Sequence, residues 1–259
     1  MKDPRGILVL GSPRSGTTMV GNYLSSSDNV CDMGEYGGFH FVRICAPPEF
    51  EGAPSRYLDD YLQGLRTHAR TFAESTATAH GHAYYLDHCP WNLLVGGDLE
   101  DDAAGALFVL MLRHPVGVVQ SLARSYAKGY TWAGADVTAR ASLWCQFYEK
   151  ALELPEDRTV AVSYDALCAA PQTALREMER QVTDNGFSLG PLDPSVLAVS
   201  HATKASDHRP TLAHTDEQGN VRFTPIAPEP DDDLRAATAP VTETLQHKLA
   251  ARFGCDWLR

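Results

Sequence analysis

The feature that most constrains the fold is an apolar run at residues 6–10, followed directly by the segment GSPRSGTT at residues 11–18. A short apolar run that ends in glycine is typical of a buried parallel strand, and residues 17–26 have the pattern of a helix. The connecting segment therefore lies at a helix N-terminus, where free backbone N–H groups and the helix dipole favour an anion. Its two glycines allow a tight turn, and Arg14 can add a charge-assisted hydrogen bond. A plain strand-to-helix turn is the alternative.

The rest of the chain alternates predicted strands with predicted helices. Further strands are predicted at Ala83–Leu86, Leu107–Leu112 and Thr159–Ser163. Helices are predicted over residues 55–78, 115–128, 143–152, 171–185 and 241–253. Residues 201–230 are polar, contain four prolines and are predicted to form a functional loop or mobile segment. The alternation predicts an α/β protein with a P-loop-like parallel sheet flanked by helices on both faces. Since no linker divides the chain, we expect one domain over residues 1–259.

Composition excludes several classes of protein. The chain has 259 residues, of which 44% are hydrophobic, and this is sufficient for a packed core. A net charge of −11 argues against nucleic-acid binding and against a polybasic membrane contact, because both need basic surface. The six cysteines include no CxxC pair, so neither a zinc site nor a disulfide scaffold is indicated. The first apolar run is too short for a signal peptide or a membrane span. We expect a cytoplasmic protein, whose oligomeric state the sequence does not indicate.

Three motifs together resemble those of sulfotransferases that use 3′-phosphoadenosine 5′-phosphosulfate (PAPS). Residues 12–18, Ser-Pro-Arg-Ser-Gly-Thr-Thr, resemble the family's loop for the 5′-phosphosulfate. Arg113, at the end of a predicted strand, and Ser121, eight residues later, resemble the family's pair for the 3′-phosphate. The segment that begins Ser163-Tyr164 and is followed by Pro171 resembles its strand-to-helix segment near the adenine. The resemblance covers residues 7 to 171, in the family's order.

The resemblance implies which residues bind the nucleotide. They are Arg14, Ser15, Gly16, Thr17, Thr18, Arg113, Ser121 and Tyr164. From the residues alone, a structural ion pair for Arg113 and simple packing for Tyr164 stay open. Many cytosolic relatives have a tryptophan at the position of Met19 and a basic, Gly-rich loop near the C-terminus, and this chain has neither. Candidates to replace that loop are Lys204, His208 and Arg209, with an ordinary solvated loop as the alternative.

The chemistry of such a site needs positioning, electrostatic stabilisation and a base. No metal ion is expected, because a sulfuryl group carries less charge than a terminal phosphate. Arg14 is expected to be catalytic, by stabilising charge on the leaving phosphate. Two residues resemble the family's general base: Glu35, in a Gly-Glu segment like that of bacterial relatives, and His88, in a His-x-Pro segment like that of cytosolic relatives. The bacterial-type loop favours Glu35, whereas an ordinary histidine titrates closer to neutral pH.

The sequence therefore predicts an enzyme that transfers a sulfuryl group from PAPS to a hydroxyl or amine of a small-molecule acceptor, and releases adenosine 3′,5′-bisphosphate. A small-molecule kinase with a degenerate phosphate loop and a catalytically silent nucleotide-binding module are the alternatives. Thr17 replaces the lysine of the GxxxxGK[ST] pattern, which argues against the kinase. The acceptor cannot be identified, although six aromatic residues are candidates to line an apolar pocket. These are Tyr36, Phe39, Phe41, Tyr126, Tyr130 and Trp132.

Overall fold

A parallel sheet of five strands forms the centre of the computed structural model, which describes residues 3–45, 58–199, 213–216, 221–223 and 232–254. The strands are β1 (Arg5–Gly11), β2 (Val30–Asp32), β3 (Tyr84–Asp87), β4 (Leu107–Leu112) and β5 (Thr159–Ser163). Their order across the sheet is β2-β3-β1-β4-β5. Every neighbouring pair is parallel, so the predicted α/β class with a parallel sheet is confirmed.

The central strand, β1, is buried on both of its faces. Its register pairs Ile7 with Leu86 of β3 on one side and with Leu107 of β4 on the other. Because side chains alternate along a strand, Ile7 belongs to one hydrophobic core and Leu8 to the other. A continuous apolar run is therefore required here, and the carboxyl end of β1 lies in the middle of the sheet edge.

Helices cover both faces of the sheet, as predicted. In chain order they are α1 (Thr17–Leu24), α2 (Gly38–Cys45), α3 (Leu58–Ala79), α4 (Leu99–Asp102), α5 (Pro115–Ala127), α6 (Val137–Ala151), α7 (Tyr164–Ala169), α8 (Pro171–Asp184), α9 (Val196–Val199) and α10 (Asp232–Phe253). Helices α1 and α8 contribute to one core, whereas α5, α6 and α10 contribute to the other. Two 3-10 turns, Pro90–Asp98 and Thr131–Ala133, complete the part of the chain around the site. None of the described helices is long and apolar enough to cross a membrane.

The structure departs from the predicted elements in several places, and helix α6 begins at Val137, six residues before its predicted start. Strand β2 has only three residues, too few for a recognisable pattern, and the short helices α2, α4, α7 and α9 have no counterpart among the predicted elements. Within the polar stretch 201–230, β6 (Ala213–Thr215) and β7 (Val221–Phe223) form an antiparallel pair, so part of that stretch is not a loop. Helix α10 begins at Asp232 and continues through Pro240, ahead of the predicted start.

Candidate active site

The anion loop, residues 11–18, joins the carboxyl end of β1 to the first turn of α1. Gly16 has φ +103°, and a Cβ atom there would lie 2.8 Å from the ring of Tyr164, so glycine is required. The backbone N–H groups of Gly16, Thr17 and Thr18 lie at the helix N-terminus, where the helix itself offers no acceptor. Together with the helix dipole they favour an anion.

Arg14 lies at the centre of the anion loop in a rare backbone conformation. Its φ is +72°, and among the described residues it alone combines a side chain with a positive φ. This left-handed conformation costs about 1–2 kcal/mol for a residue that has a Cβ. The Nε of Arg14 donates a hydrogen bond to Ser121 Oγ in α5, at 3.0 Å. The strained backbone thus directs the guanidinium toward α5.

The electrostatic surroundings of Arg14 combine burial with a second cation. Burial lowers the pKa of the Arg14 guanidinium, and the charge of Arg113 lowers it further. Tyr164, Glu35 and Tyr130 act in the opposite direction. Two neighbouring guanidinium groups repel each other, and an anion beside them would relieve that repulsion.

Arg113 follows β4 and reaches back to the anion loop. Its Nη1 donates a hydrogen bond to the carbonyl oxygen of Arg14 at 2.8 Å. Its guanidinium carbon lies 4.0 Å from the centre of the Tyr164 ring, a cation–π contact. Gly117 in α5 leaves the necessary space, because a Cβ there would lie 3.2 Å from Arg113 Nε. The structure therefore brings Arg113, Ser121 and Tyr164 together around Arg14.

Two aromatic residues of α6, Trp144 and Tyr148, hold the end of β4. Their helical spacing in the sequence predicts that they face the core, but it does not predict these hydrogen bonds. Trp144 Nε1 donates a hydrogen bond to the carbonyl oxygen of Arg113 at 3.1 Å. The Tyr148 hydroxyl donates to the carbonyl oxygen of Met111 at 2.7 Å. Both side chains are fully buried. They fix the strand end from which Arg113 projects.

Glu35 lies beside the first turn of α1. The Thr18 hydroxyl donates a hydrogen bond to Glu35 Oε1 at 3.4 Å. Glu35 is exposed and Thr18 is half-buried, so the carboxylate stands at the open side of the anion loop. Gly34 and Gly37, with φ of +66° and +64°, turn the chain on either side of it.

His88 is close to this segment but lies in a different environment. It is only 2% exposed, and a Cβ on Gly21 of α1 would lie 2.7 Å from its ring. Its Nε2 lies 3.8 Å from Asp32 Oδ1, and its backbone N–H donates to the Gly34 carbonyl at 3.0 Å. His88 is therefore buried beneath the Glu35 segment, while Glu35 faces solvent.

Asp87, at the end of β3, connects the segments on the Glu35 side of the site. In the sequence, the only sign of this role is that a carboxylate ends a strand. It is fully buried and accepts three hydrogen bonds. The donors are the N–H of Gly37 at 3.0 Å, the N–H of Cys89 at 2.9 Å and the side-chain amide of Asn92 at 2.8 Å. Burial raises the pKa of Asp87 to about 6, although the hydrogen bonds act to lower it. One carboxylate thus joins the Glu35 segment to the chain that follows β3.

The other predicted binding residues have varied surroundings. Ser15 is fully buried, and its N–H donates to the Ser12 carbonyl at 3.0 Å. Thr17 is also buried, whereas Met19 packs in the core. The candidate residues in the loop, Lys204, His208 and Arg209, lie outside the described residues. Within the described ranges, no group of three or more His, Cys, Asp or Glu residues is placed to hold a metal ion.

The aromatic residues predicted to line one pocket divide into separate groups. Phe39 is buried in the core, whereas Tyr36 stacks on Phe72 of α3, with ring centroids 5.6 Å apart. Tyr130 and Trp132 form a pair with centroids 6.2 Å apart. Phe39 therefore packs in the core and does not line an open pocket.

Comparison with solved structures finds the same fold in bacterial enzymes. The sulfotransferase domain of the Synechococcus PCC 7002 olefin synthase is 17% identical, with a TM-score of 0.53 over 99% of this chain and 97% of that one. A sulfotransferase from Alicyclobacillus acidocaldarius is 14% identical, with a TM-score of 0.52 over 99% and 98% of the two chains. The sulfotransferase domain from the curacin biosynthetic pathway is 15% identical, with a TM-score of 0.51 over 76% and 78%. At these identities the likeness establishes the P-loop-like fold.

The sequence itself provides the family assignment. No curated protein matches it significantly. A family model described as "Sulfotransferase family" matches residues 4–182, a range that includes the anion loop, Glu35, Arg113 and Tyr164. That match covers most of the chain, and the chain therefore belongs to the sulfotransferase family.

Proposed function

We propose that this protein transfers a sulfuryl group from PAPS to a hydroxyl or amine of a small-molecule acceptor. The observation that carries the proposal is the joined cluster of Arg14, Arg113 and Ser121 at the anion loop. Two guanidinium groups, a hydroxyl and a helix N-terminus in one place suit a nucleotide with two separate anionic groups. PAPS has a 5′-phosphosulfate and a 3′-phosphate, whereas ATP has a free 3′-hydroxyl.

The residues present fit such a nucleotide. The N–H groups of Gly16, Thr17 and Thr18 and the side chain of Arg14 would hold the 5′-phosphosulfate. Arg113 and Ser121 would hold the 3′-phosphate. Tyr164 packs on Arg113 and would keep that guanidinium in place. The cluster is already assembled by its own hydrogen bonds, so little rearrangement is needed on binding.

In the reaction, the acceptor oxygen forms a bond to sulfur as the bond between sulfur and the 5′-phosphate oxygen breaks. The electron pair of the broken bond stays on that phosphate, so adenosine 3′,5′-bisphosphate leaves with additional negative charge. Arg14 and the N–H groups of the anion loop would stabilise this charge where it develops. No residue in this scheme requires a metal ion.

Glu35 is the better-supported general base. Its exposed carboxylate adjoins Thr18, in the first turn of α1, and an acceptor hydroxyl can approach it from solvent. His88 is buried beneath this segment. Its role would be to hold the Glu35 turn in position. Glu35 would receive the acceptor's proton as the new oxygen–sulfur bond forms.

The test is incubation of the full chain with PAPS and a panel of hydroxyl and amine acceptors, following release of adenosine 3′,5′-bisphosphate by chromatography. We expect acceptor-dependent release that is unchanged by EDTA. A parallel reaction with ATP and Mg²⁺ tests for phosphoryl transfer. Sulfuryl transfer no faster than in the absence of protein would overturn the proposal, as would magnesium-dependent transfer from ATP.

A further inference from the structure

A row of four aromatic side chains leads away from the anion loop: His40, Trp91, Trp132 and Tyr130. Consecutive rings have centroids 5.9, 5.7 and 6.2 Å apart, within the range of about 4.5–7 Å that aromatic pairs prefer. The residues come from α2, from the turn that follows β3 and from the turn between α5 and α6. The row therefore exists only in the folded chain, and we call it the aromatic row.

The aromatic row is fixed to the same framework as the anion loop. Trp91 contacts the fully buried ring of Phe147 in α6, with centroids 5.3 Å apart, and α6 also holds the end of β4. At the other end, the N–H of His40 donates to Asn92 Oδ1 at 3.1 Å. Asn92 in turn donates to the buried Asp87. A ligand on the row would therefore meet a preformed surface.

The near end of the row borders the reactive groups. The N–H of Tyr130 donates to the carbonyl oxygen of Ser125 at 3.2 Å, at the end of the helix that carries Ser121. Ser121 lies one helical turn before Ser125, and its hydroxyl accepts a hydrogen bond from Arg14 Nε at 3.0 Å. The Tyr130 end of the row is thus joined to Arg14 through α5, and the His40 end is joined through Asn92 and Asp87 to Gly37, two residues after Glu35.

The aromatic surface at this end is open. Tyr130 and Trp132 are each 42% exposed, and exposed aromatic surface beside reactive groups is typical of a ligand site. The row offers ring faces and edges, and a further planar ring can continue its edge-to-face and stacked contacts, whereas an aliphatic ring cannot. The chain's net charge of −11 and the nearby Glu35 disfavour an acidic ligand.

We infer that the aromatic row is the acceptor subsite and that the acceptor is a small, uncharged, planar aromatic alcohol. This inference rests on the proposed function, in which Glu35 takes the proton of the acceptor hydroxyl. The acceptor ring contacts Trp132, and its hydroxyl lies toward Glu35 and Arg14. The bonds formed and broken are those of sulfuryl transfer, with a phenol-type oxygen as the nucleophile.

Planarity is tested by calorimetry on the protein saturated with adenosine 3′,5′-bisphosphate. The two probes are 2-naphthol and its saturated analogue decahydro-2-naphthol, which share a carbon skeleton and a hydroxyl but differ in aromaticity. We expect 2-naphthol to bind at least about tenfold more tightly, because the analogue loses the aromatic contacts.

Two substitutions of Trp132 and one matched control locate the effect. Trp132→Ala should raise the KM for 2-naphthol about tenfold and abolish the preference over the saturated analogue, since it removes the aromatic partner. Trp132→Phe should retain most of the preference. The KM for PAPS should change less than about twofold in both variants, because their donor contacts are intact. Tyr61→Ala, which removes an exposed aromatic side chain of α3, should leave both KM values unchanged.

The outcomes separate this inference from the proposed function. If the wild type does not bind adenosine 3′,5′-bisphosphate, the proposed function fails and this inference fails with it. If the nucleotide binds but the two alcohols bind equally, the inference is overturned and the proposed function stands. Equal effects of Trp132→Ala and Tyr61→Ala would also overturn it.

Discussion

The Nε of Arg14 donates a hydrogen bond to the hydroxyl of Ser121 at 3.0 Å, between residues 107 positions apart in the chain. This bond joins the loop after β1 to the helix after β4. Because Arg113 also donates to the carbonyl oxygen of Arg14, the two parts of the proposed nucleotide site are one connected unit.

We expect Arg14→Ala to lower kcat by a factor on the order of 10² or more, by analogy with the loss of one oxyanion donor. The substitution adds no backbone strain, because arginine and alanine both have a Cβ at this positive φ. Steady-state kinetics with PAPS measures the effect, and the thermal unfolding midpoint should shift little. Arg180→Ala, on the exposed face of α8, is the matched control and should keep wild-type kcat. A near-normal kcat in Arg14→Ala would remove Arg14 from the mechanism.

Glu35→Gln and His88→Ala distinguish the two candidate bases. Glu35→Gln should lower kcat by about 10²-fold or more while PAPS still binds, because base catalysis typically contributes 10²–10⁴-fold. His88→Ala should lower stability instead, because it empties a buried site next to α1. Stopped-assay kinetics and urea unfolding measure the two effects. The assignment is wrong if Glu35→Gln keeps more than about a tenth of wild-type kcat.

Adenosine 3′,5′-bisphosphate should bind at least about a hundredfold more tightly than AMP. Charge-assisted hydrogen bonds contribute roughly 1.5–3 kcal/mol each, and Arg113 and Ser121 would supply two to the 3′-phosphate. Arg113→Ala should remove most of this difference, and Ser121→Ala a smaller part. Calorimetry with both nucleotides measures it.

AMP serves as the internal control for that experiment. It needs the anion loop but not the 3′ site, so unchanged AMP affinity in Arg113→Ala shows that the loop has survived the substitution. Equal affinities of the two nucleotides for the wild type would argue against PAPS as the donor.

Asp87 should make the protein less stable as the pH rises from about 4 to about 6. Burial raises the pKa of Asp87 in the folded state to about 6, whereas an aspartate in the unfolded chain titrates near 3.9. Between these values the folded state holds a proton that the unfolded state has lost, so the free energy of unfolding decreases with pH. The decrease is about 3 kcal/mol at most, and it is complete above the folded-state pKa.

Urea unfolding between about pH 4 and 7.5 measures this contribution. Asp87→Asn should be less stable overall, because an amide oxygen cannot replace a carboxylate that accepts three hydrogen bonds, and it should lack the decrease. Asp157→Asn, at an exposed turn, should follow the wild-type curve. Parallel curves for wild type and Asp87→Asn would contradict the assignment.

The sequence predicts well the parts of the site that depend on local pattern. A buried apolar run, a glycine-containing turn and a helix start define the anion loop, because strand and helix periodicities and the chemistry of helix N-termini are local properties. Arg113 is placed correctly at a strand end for the same reason. Its contact with the Arg14 carbonyl is not local, and nothing in the spacing indicates it.

The choice between Glu35 and His88 depends on tertiary structure. His88 is buried because Gly21 of α1 lets the ring pack against the helix, a contact between residues far apart in sequence. Trp91 joins the aromatic row while Phe39 enters the core, although both are simply aromatic residues near predicted loops. Such differences depend on which face of a segment packs against the sheet. A three-residue strand such as β2 is too short for its sequence pattern to indicate which face is buried.

The position of β1 has a consequence for synthesis of the protein. It precedes the other four strands of the sheet in the chain, yet both of its neighbours come much later, since Arg5 pairs with Tyr84 and Ile7 with Leu107. Until roughly a hundred more residues have left the ribosome, one edge of this apolar strand has no partner, and parallel pairing over such separations is slow and prone to aggregation. We therefore expect folding yield to depend on protection of the newly synthesised β1 during that interval.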